Sequence, residues 1–161
     1  MGDAAGSGGG GAVTIEVNVD TSKFDRMMSD FPAALARAKK SALEAIGAEV
    51  KSQAELAFRH PHYRPSPWAP RKNNADPGRP LLYKSGTMRR DLNSRLEGDD
   101  TVVIGTPHEY AKYHQTGTKH MPARPFMPVD KSGNLLPRVM RKIKKIVEEA
   151  LAEEMEKTFG H

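Results

Sequence analysis

A stripe of apolar residues between Pro32 and Phe58 constrains the fold of this 161-residue chain more than any other feature. Its members recur every three or four residues, the spacing that places side chains on one face of an α-helix. They are Leu35, Ala42, Leu43, Ile46, Val50, Ala54 and Ala57. Asp30 and Pro32 suit the N-cap and first turn of this long helix. Gly47 lowers helix propensity by about 1 kcal/mol relative to alanine, so we expect another element to pack closely against it.

A second long helix and a few short strands complete the predicted architecture. The segment from about Leu135 to about Phe159 repeats apolar residues at helical spacing. Val13 to Val19 instead alternates β-branched and polar residues, a period of two that indicates a half-buried strand. Residues 92–96 and 101–105 bracket Glu97-Gly98-Asp99-Asp100, a sequence typical of a β-hairpin. Strands and helices are segregated, so the predicted fold class is α+β, a small antiparallel sheet packed against two long helices.

Two segments differ in composition from this compact arrangement. Residues 1–11 are glycine, alanine and serine apart from Met1 and Asp3, and we expect a disordered Gly-rich leader there. Residues 12–161 then form a single α+β domain. Within it, residues 59–80 hold six prolines and the single tryptophan, Trp68. Proline removes backbone donors and favours extended geometry, which predicts a long, flexible Pro/Arg-rich arm with Trp68 as its anchor on another chain.

The composition excludes several classes of protein. The chain has no cysteine, which rules out a disulfide scaffold, a thiol enzyme and a cysteine-based zinc site. No run approaches the roughly 18 apolar residues that a membrane span needs. No basic-then-apolar signal peptide opens the sequence. We therefore expect a soluble protein that stays in the cell where it is made.

The sequence predicts no enzyme, cofactor or metal. His60, His62, His114 and His120 carry nitrogen atoms of the kind that bind zinc, but none lies in an HExxH pattern. Ser, Gly and Asp residues are not arranged as a nucleophile elbow, a phosphate-binding loop or a carboxylate pair for acid–base chemistry. A metal-dependent hydrolase is the less favoured alternative.

The arm is strongly basic in a chain whose net charge is +5. Clustered cations bind phosphate groups, and neighbouring aromatic rings stack on bases. The candidate residues along a DNA path are Arg59, Arg64, Arg71, Lys72 and Arg79. A basic DNA-binding module is therefore the main alternative function, although no base-reading motif accompanies the charge.

The most informative sequence lies between residues 110 and 127. Tyr110-Ala111-Lys112-Tyr113-His114-Gln115-Thr116-Gly117 is followed by Met121-Pro122-Ala123-Arg124-Pro125-Phe126-Met127. The glycine suits a turn or the end of a short helix. The two prolines hold Arg124 and Phe126 in a stiff, extended segment whose neighbouring side chains point to opposite faces.

These residues resemble the virion morphogenesis (tail completion) family of tailed bacteriophages. The resemblance covers roughly residues 20 to 159. Its motif positions are Trp68; Leu81, Leu82 and Gly86; Val102, Val103, Ile104 and Gly105; Tyr110, Ala111, His114, Gln115 and Gly117; and Pro122 through Phe126. One departure is Thr116, where the family more commonly has an aromatic or bulkier apolar residue.

The resemblance implies a structural protein without catalytic residues. Such proteins are similar to tail-terminator subunits, which form rings around the DNA path, complete the tail and let it join the head. The implied partners are further copies of the chain, tail tube or terminator proteins and head-completion or connector proteins, with non-specific DNA contact and no membrane. The implied location is the virion tail or neck, after assembly in the host cytoplasm. The predicted contact residues are Trp68, Tyr110, His114, Gln115, Arg124 and Phe126.

Overall fold

The computed structural model describes residues 3–7, 13–70, 90–108 and 110–160. These residues form an α+β fold, as the sequence predicts. In chain order its elements are β1 (Asp3–Ser7), β2 (Val13–Asn18), α1 (Ser22–Met27), α2 (Pro32–Ala57), a 3-10 turn (Pro61–Tyr63), β3 (Asn93–Glu97), β4 (Thr101–Thr106), α3 (Ala111–Thr116) and α4 (Pro137–Phe159).

The four strands form one antiparallel sheet in the order β1-β2-β4-β3. In the register of the two central strands, Ile15 lies opposite Ile104 and Val17 opposite Val102. Because side chains alternate along a strand, these residues share one face of the sheet, and all four are buried. The predicted hairpin is confirmed, with Gly98 at a φ of 69° in its turn. The predicted strand near Val13 is confirmed as β2.

The long helix α2 packs against this apolar face of the sheet. Gly47 marks the close approach, because a Cβ atom there would lie 2.9 Å from Cγ2 of Val102 and 3.0 Å from Oγ of Ser94. Separations this short are sterically costly, so the absent side chain is what lets helix and strands meet. The packing reason predicted for Gly47 is therefore confirmed.

The second long helix, α4, runs antiparallel to α2. Near the start of α2, the Arg37 guanidinium lies 2.8 Å from the buried carboxylate of Glu154. Near its end, Nε of Arg138 donates a hydrogen bond to Gln53 over 3.3 Å. Thus the first residues of one helix lie beside the last residues of the other.

Two sequence predictions about local structure are wrong. Residues 3–7 were expected in a disordered leader, but Asp3–Ser7 forms β1, because main-chain pairing with β2 requires no apolar side chains. The rest of that leader lies outside the described residues. The N-cap of α2 is Phe31 rather than Asp30, and no side chain caps the helix. Instead, the Phe31 ring packs edge-on against Phe159, with ring centres 4.9 Å apart.

In the part of the chain that the structure describes, no helix is long and apolar enough to cross a membrane.

Candidate functional site

The sequence motif from Tyr110 to Gly117 forms the short helix α3 and its end. Gly117 ends the helix at a φ of 77°, and a Cβ atom there would lie 2.8 Å from the backbone nitrogen of Ala123. Only glycine adopts this conformation readily and also admits the returning chain. Thr116, the departure from the family pattern, is exposed, and its hydroxyl donates a hydrogen bond to the carbonyl of Lys112 over 2.9 Å. No bulky apolar side chain is therefore needed at that position.

Gln115 binds α3 to the extended segment that follows it. Its Oε1 accepts hydrogen bonds from the backbone N–H groups of Phe126 (3.1 Å) and Met127 (3.0 Å). A third contact is made by the backbone, since the N–H of Arg124 donates to the carbonyl of His114 over 2.6 Å. Phe126 and Met127 are completely buried, so their amide groups need a partner inside the protein. Gln115 supplies it in place of a neighbouring strand.

The same extended segment holds residues 68–70 of the Pro/Arg-rich arm. The indole Nε1 of Trp68 donates a hydrogen bond to the carbonyl of Pro125 over 2.7 Å. The guanidinium of Arg124 donates to the carbonyls of Ala69 (2.9 Å) and Pro70 (3.0 Å). Residues 68–70 are therefore fixed on the extended segment. We call the four motif side chains that make this junction the arm clamp: Trp68, Gln115, Arg124 and Phe126.

Aromatic packing closes the arm clamp against the end of α2. The ring of Phe58 packs edge-on against Trp68, with centres 6.1 Å apart, and lies 5.2 Å from the ring of Phe126. The Arg64 guanidinium lies over the Trp68 ring, 3.7 Å from its centre. Nε of Arg64 also donates to the carbonyl of Ala57 over 2.6 Å, where α2 leaves its last carbonyls unpaired. Burial lowers the pKa of the Arg64 guanidinium.

The predicted contact roles of Trp68 and Phe126 are corrected by this packing. Trp68 is 9% exposed and Phe126 is 0% exposed, so neither side chain offers a surface to another chain in this conformation. The physical reason is the mutual packing of their rings with Phe58, which favours burial over exposure. Likewise, residues 59–70 are not a free arm, because Arg64 and Trp68 fasten them to the domain. Residues 71–80 lie outside the described residues.

His114 and Tyr110 lie at the outer side of α3. His114 is half-buried, and its Nδ1 atom is buried without a hydrogen-bond partner among the described residues. Burial, and then the nearby charge of Arg124, lower the pKa of His114 below its ordinary value of 6.5. Both effects favour the neutral form of the imidazole. Tyr110 is exposed and stacks on His108, with ring centres 5.3 Å apart.

The predicted DNA-path residues do not form one described cluster. Arg59 is exposed just after α2, whereas Arg64 is held by the carbonyls of α2 and by Trp68. Arg71, Lys72 and Arg79 lie outside the described residues. The guanidinium of Arg64 is used inside the domain, and the place of these residues along a DNA path stays a prediction.

The histidines form no ligand cluster within the described ranges. The ring centres of the exposed His60 and His62 lie 5.9 Å apart, and they lie 6.3 Å and 4.4 Å from the ring centre of Tyr63. No group of three or more histidine, aspartate or glutamate residues among the described ones is placed to hold a metal ion.

Sequence reasoning missed the internal roles of Gln115 and Arg64. A signal for Gln115 was present, because prolines 122, 125 and 128 prevent the intervening residues from joining a regular strand ladder. The N–H groups of Phe126 and Met127 then require a side-chain acceptor. No comparable local signal indicates that Arg64 turns back to the end of α2.

Comparison with known proteins agrees with the motif. A Haemophilus influenzae protein named Mu-like prophage FluMu G protein 1 is 41% identical over 76 residues, which are 47% of this chain and 48% of the relative. The chain thus spans about half the length of the curated relative that it matches. No solved structure matches the chain. Residues 19–154 match the phage virion morphogenesis family over most of the sequence, and the chain belongs to that family.

Proposed function

We propose that this protein completes the phage tail, or joins it to the head, as one subunit of a ring around the DNA path. Membership of the phage virion morphogenesis family supports a structural role in particle assembly. The observation that carries the proposal is the arm clamp, whose motif side chains bond to the protein's own backbone. The indole of Trp68, the amide of Gln115 and the guanidinium of Arg124 therefore shape the chain, and we infer that the role is structural rather than catalytic.

A rigid subunit suits this role. The sheet, α2 and α4 share one apolar core, and α2 alone, at 26 residues, is about 39 Å long. Identical rigid subunits that contact each other through two different surfaces form a ring when the rotation between them closes. Non-specific contact of such a ring with passing DNA would depend on its basic residues, and we expect that affinity to fall steeply with salt.

Electron microscopy of particles made without the protein tests the proposal. We expect heads and tails that remain unjoined, or tails with an irregular end, and we expect wild-type protein supplied in trans to restore complete particles. Complete, infectious particles in its absence would falsify the completion role.

The arm clamp provides a matched pair of variants for the same assay. Arg124→Ala removes the hydrogen bonds to the carbonyls of Ala69 and Pro70. Lys144→Ala, on the exposed side of α4, removes a charge without touching the clamp. We expect the Arg124 variant to yield fewer joined particles and the Lys144 variant to yield near-normal numbers. Equal yields of joined particles from the two variants would mean that assembly does not depend on the arm clamp.

A further inference from the structure

Five large hydrophobic side chains of the described residues are more than 40% exposed, and they fall into two groups. Their exposed fractions are 45% for Met27, 42% for Phe31, 46% for Phe159, 42% for Tyr110 and 49% for Tyr113. Single exposed apolar residues are ordinary, whereas groups of them mark sites of interaction. The position of each group in the fold therefore matters.

The first group lies where α2 begins and α4 ends. Met27 is the last residue of α1, Phe31 is the N-cap of α2 and Phe159 is the last residue of α4. Because α2 and α4 are antiparallel, the start of one and the end of the other meet, and the rings of Phe31 and Phe159 are 4.9 Å apart. We call these three residues the apolar end.

The second group lies at the other end of α2. Tyr110 is the N-cap of α3 and Tyr113 lies within this helix. Gln115 of the same helix accepts a hydrogen bond from the backbone N–H of Phe126. The ring of Phe126 in turn lies 5.2 Å from that of Phe58, the C-cap of α2. We call Tyr110 and Tyr113 the tyrosine end. The two groups therefore lie at opposite ends of α2, whose 26 residues span about 39 Å.

The two ends carry opposite charge. Residues 148–159, which lead to the apolar end, contain five glutamates and one lysine. Residues 22–40 in α1, the link and the first turns of α2 contain two acids and five cations, and Arg37 among them pairs with Glu154. Together these two stretches carry one net negative charge. Residues 110–124 at the tyrosine end contain two lysines and one arginine and no acid. Opposite charge steers two such surfaces together and disfavours contact between two copies of the same end.

We propose that the apolar end of one copy docks on the tyrosine end of the next copy. Tyrosine suits this contact, because its ring is apolar and its hydroxyl remains hydrated, and aromatic residues and methionine are enriched in interface cores. The two surfaces differ, so the contact is head-to-tail and repeats from copy to copy. A repeated head-to-tail contact closes into a ring or extends as a filament. This inference rests on the ring in the proposed function and assigns the surfaces that build it.

Site-specific photocrosslinking in purified particles tests this assignment. The photoreactive residue benzoylphenylalanine replaces Tyr113 in the full chain. Its crosslinks then report which surface lies against the tyrosine end. Particles are assembled from a mixture of unlabelled and nitrogen-15-labelled protein, so that mixed-isotope peptides identify contacts between copies. We expect mixed-isotope crosslinks to peptides that contain Phe31 or Phe159. Placing the same probe at Lys144, exposed along α4 and away from either end, is the control and should not give those peptides.

Two exposed-residue variants give an independent measurement. Phe31→Ser and Tyr113→Ser alter opposite surfaces of the proposed contact, and neither side chain is part of the core, so circular dichroism should show an unchanged fold. We expect each to weaken copy-to-copy association about tenfold or more in analytical ultracentrifugation of the full chain, as loss of a central aromatic contact does elsewhere. Lys144→Ser should leave association unchanged.

The outcomes separate this inference from the function on which it rests. Crosslinks from Tyr113 to the tyrosine end of another copy, to any other surface, or to no copy at all would overturn the assignment of surfaces. An association unaffected by both serine variants would do the same. In each of these cases the requirement of the protein for complete particles would stand. Complete particles made without the protein would instead overturn the proposed function itself.

Discussion

Replacing Gln115 with alanine removes the acceptor for two buried amide groups. Its Oε1 atom lies 3.1 Å from the backbone nitrogen of Phe126 and 3.0 Å from that of Met127, and both of those residues are fully buried. Leaving a buried donor unsatisfied costs about 1–3 kcal/mol. Two such donors give an expected loss of about 2–6 kcal/mol in the free energy of unfolding, a large part of the roughly 5–15 kcal/mol typical of a domain.

Urea denaturation followed by tryptophan fluorescence measures this loss directly. The chain has one tryptophan, Trp68, and its indole bonds to the carbonyl of Pro125 beside the affected amides. The fluorescence therefore reports the arm clamp as well as global unfolding. Two variants serve as controls: Gln115→Glu keeps an acceptor oxygen, and Thr116→Ala changes the exposed neighbour. We expect Gln115→Glu to lose less than the alanine variant, and Thr116→Ala to stay within about 0.5 kcal/mol of wild type.

A loss below about 0.5 kcal/mol for Gln115→Ala would refute the reasoning, because it would mean that the two amides find other partners. An equal loss for the glutamate and alanine variants would also contradict it, since the acceptor oxygen would then have no special value.

Three further predictions concern packing, the clamp and pH. Gly47→Ala should lower the free energy of unfolding by about 1 kcal/mol, because crowding Val102 and Ser94 outweighs the gain in helix propensity. In a Val102→Ala background this penalty should be smaller, because only the close contact with Ser94 remains. Trp68→Phe should cost about 1–2 kcal/mol by thermal unfolding, because the Pro125 carbonyl loses its buried donor. Stability should decline as pH falls below 6.5, the ordinary pKa of histidine, because the unfolded chain protonates His114 before the folded one does. His114→Gln should flatten this decline, and an unchanged pH profile would contradict the assignment.

The regular elements were predictable because their signals are local. The stripe that includes Ile46 and Val50 repeats at the helical period, and the alternation around Ile15 repeats at the strand period. These periods place the apolar faces before any tertiary contact is known. Gly47 was informative for the same reason, since an unfavourable residue inside a strong helix indicates a close neighbour.

The candidate site was less predictable because its bonds join distant parts of the chain. The indole of Trp68 meets the carbonyl of Pro125 across 57 positions, and Arg124 meets Ala69 across 55. The local sequence around a tryptophan among prolines does not show whether its ring packs against another chain or against its own domain. Composition therefore predicted an exposed contact residue, and three-dimensional packing made it part of the core.

One of the two outer strands of the sheet, β3, limits how copies of this protein can associate. Asn93, Ser94 and Arg95 are exposed along it, and Arg95 forms an ion pair with Glu97 over 3.1 Å. Charged and polar residues on an edge strand oppose the addition of a further strand from a neighbouring molecule. Growth of the sheet from one molecule into the next is thus discouraged along this border. Association on this side is left to side-chain surfaces, which can be remodelled one residue at a time without disturbing the backbone ladder.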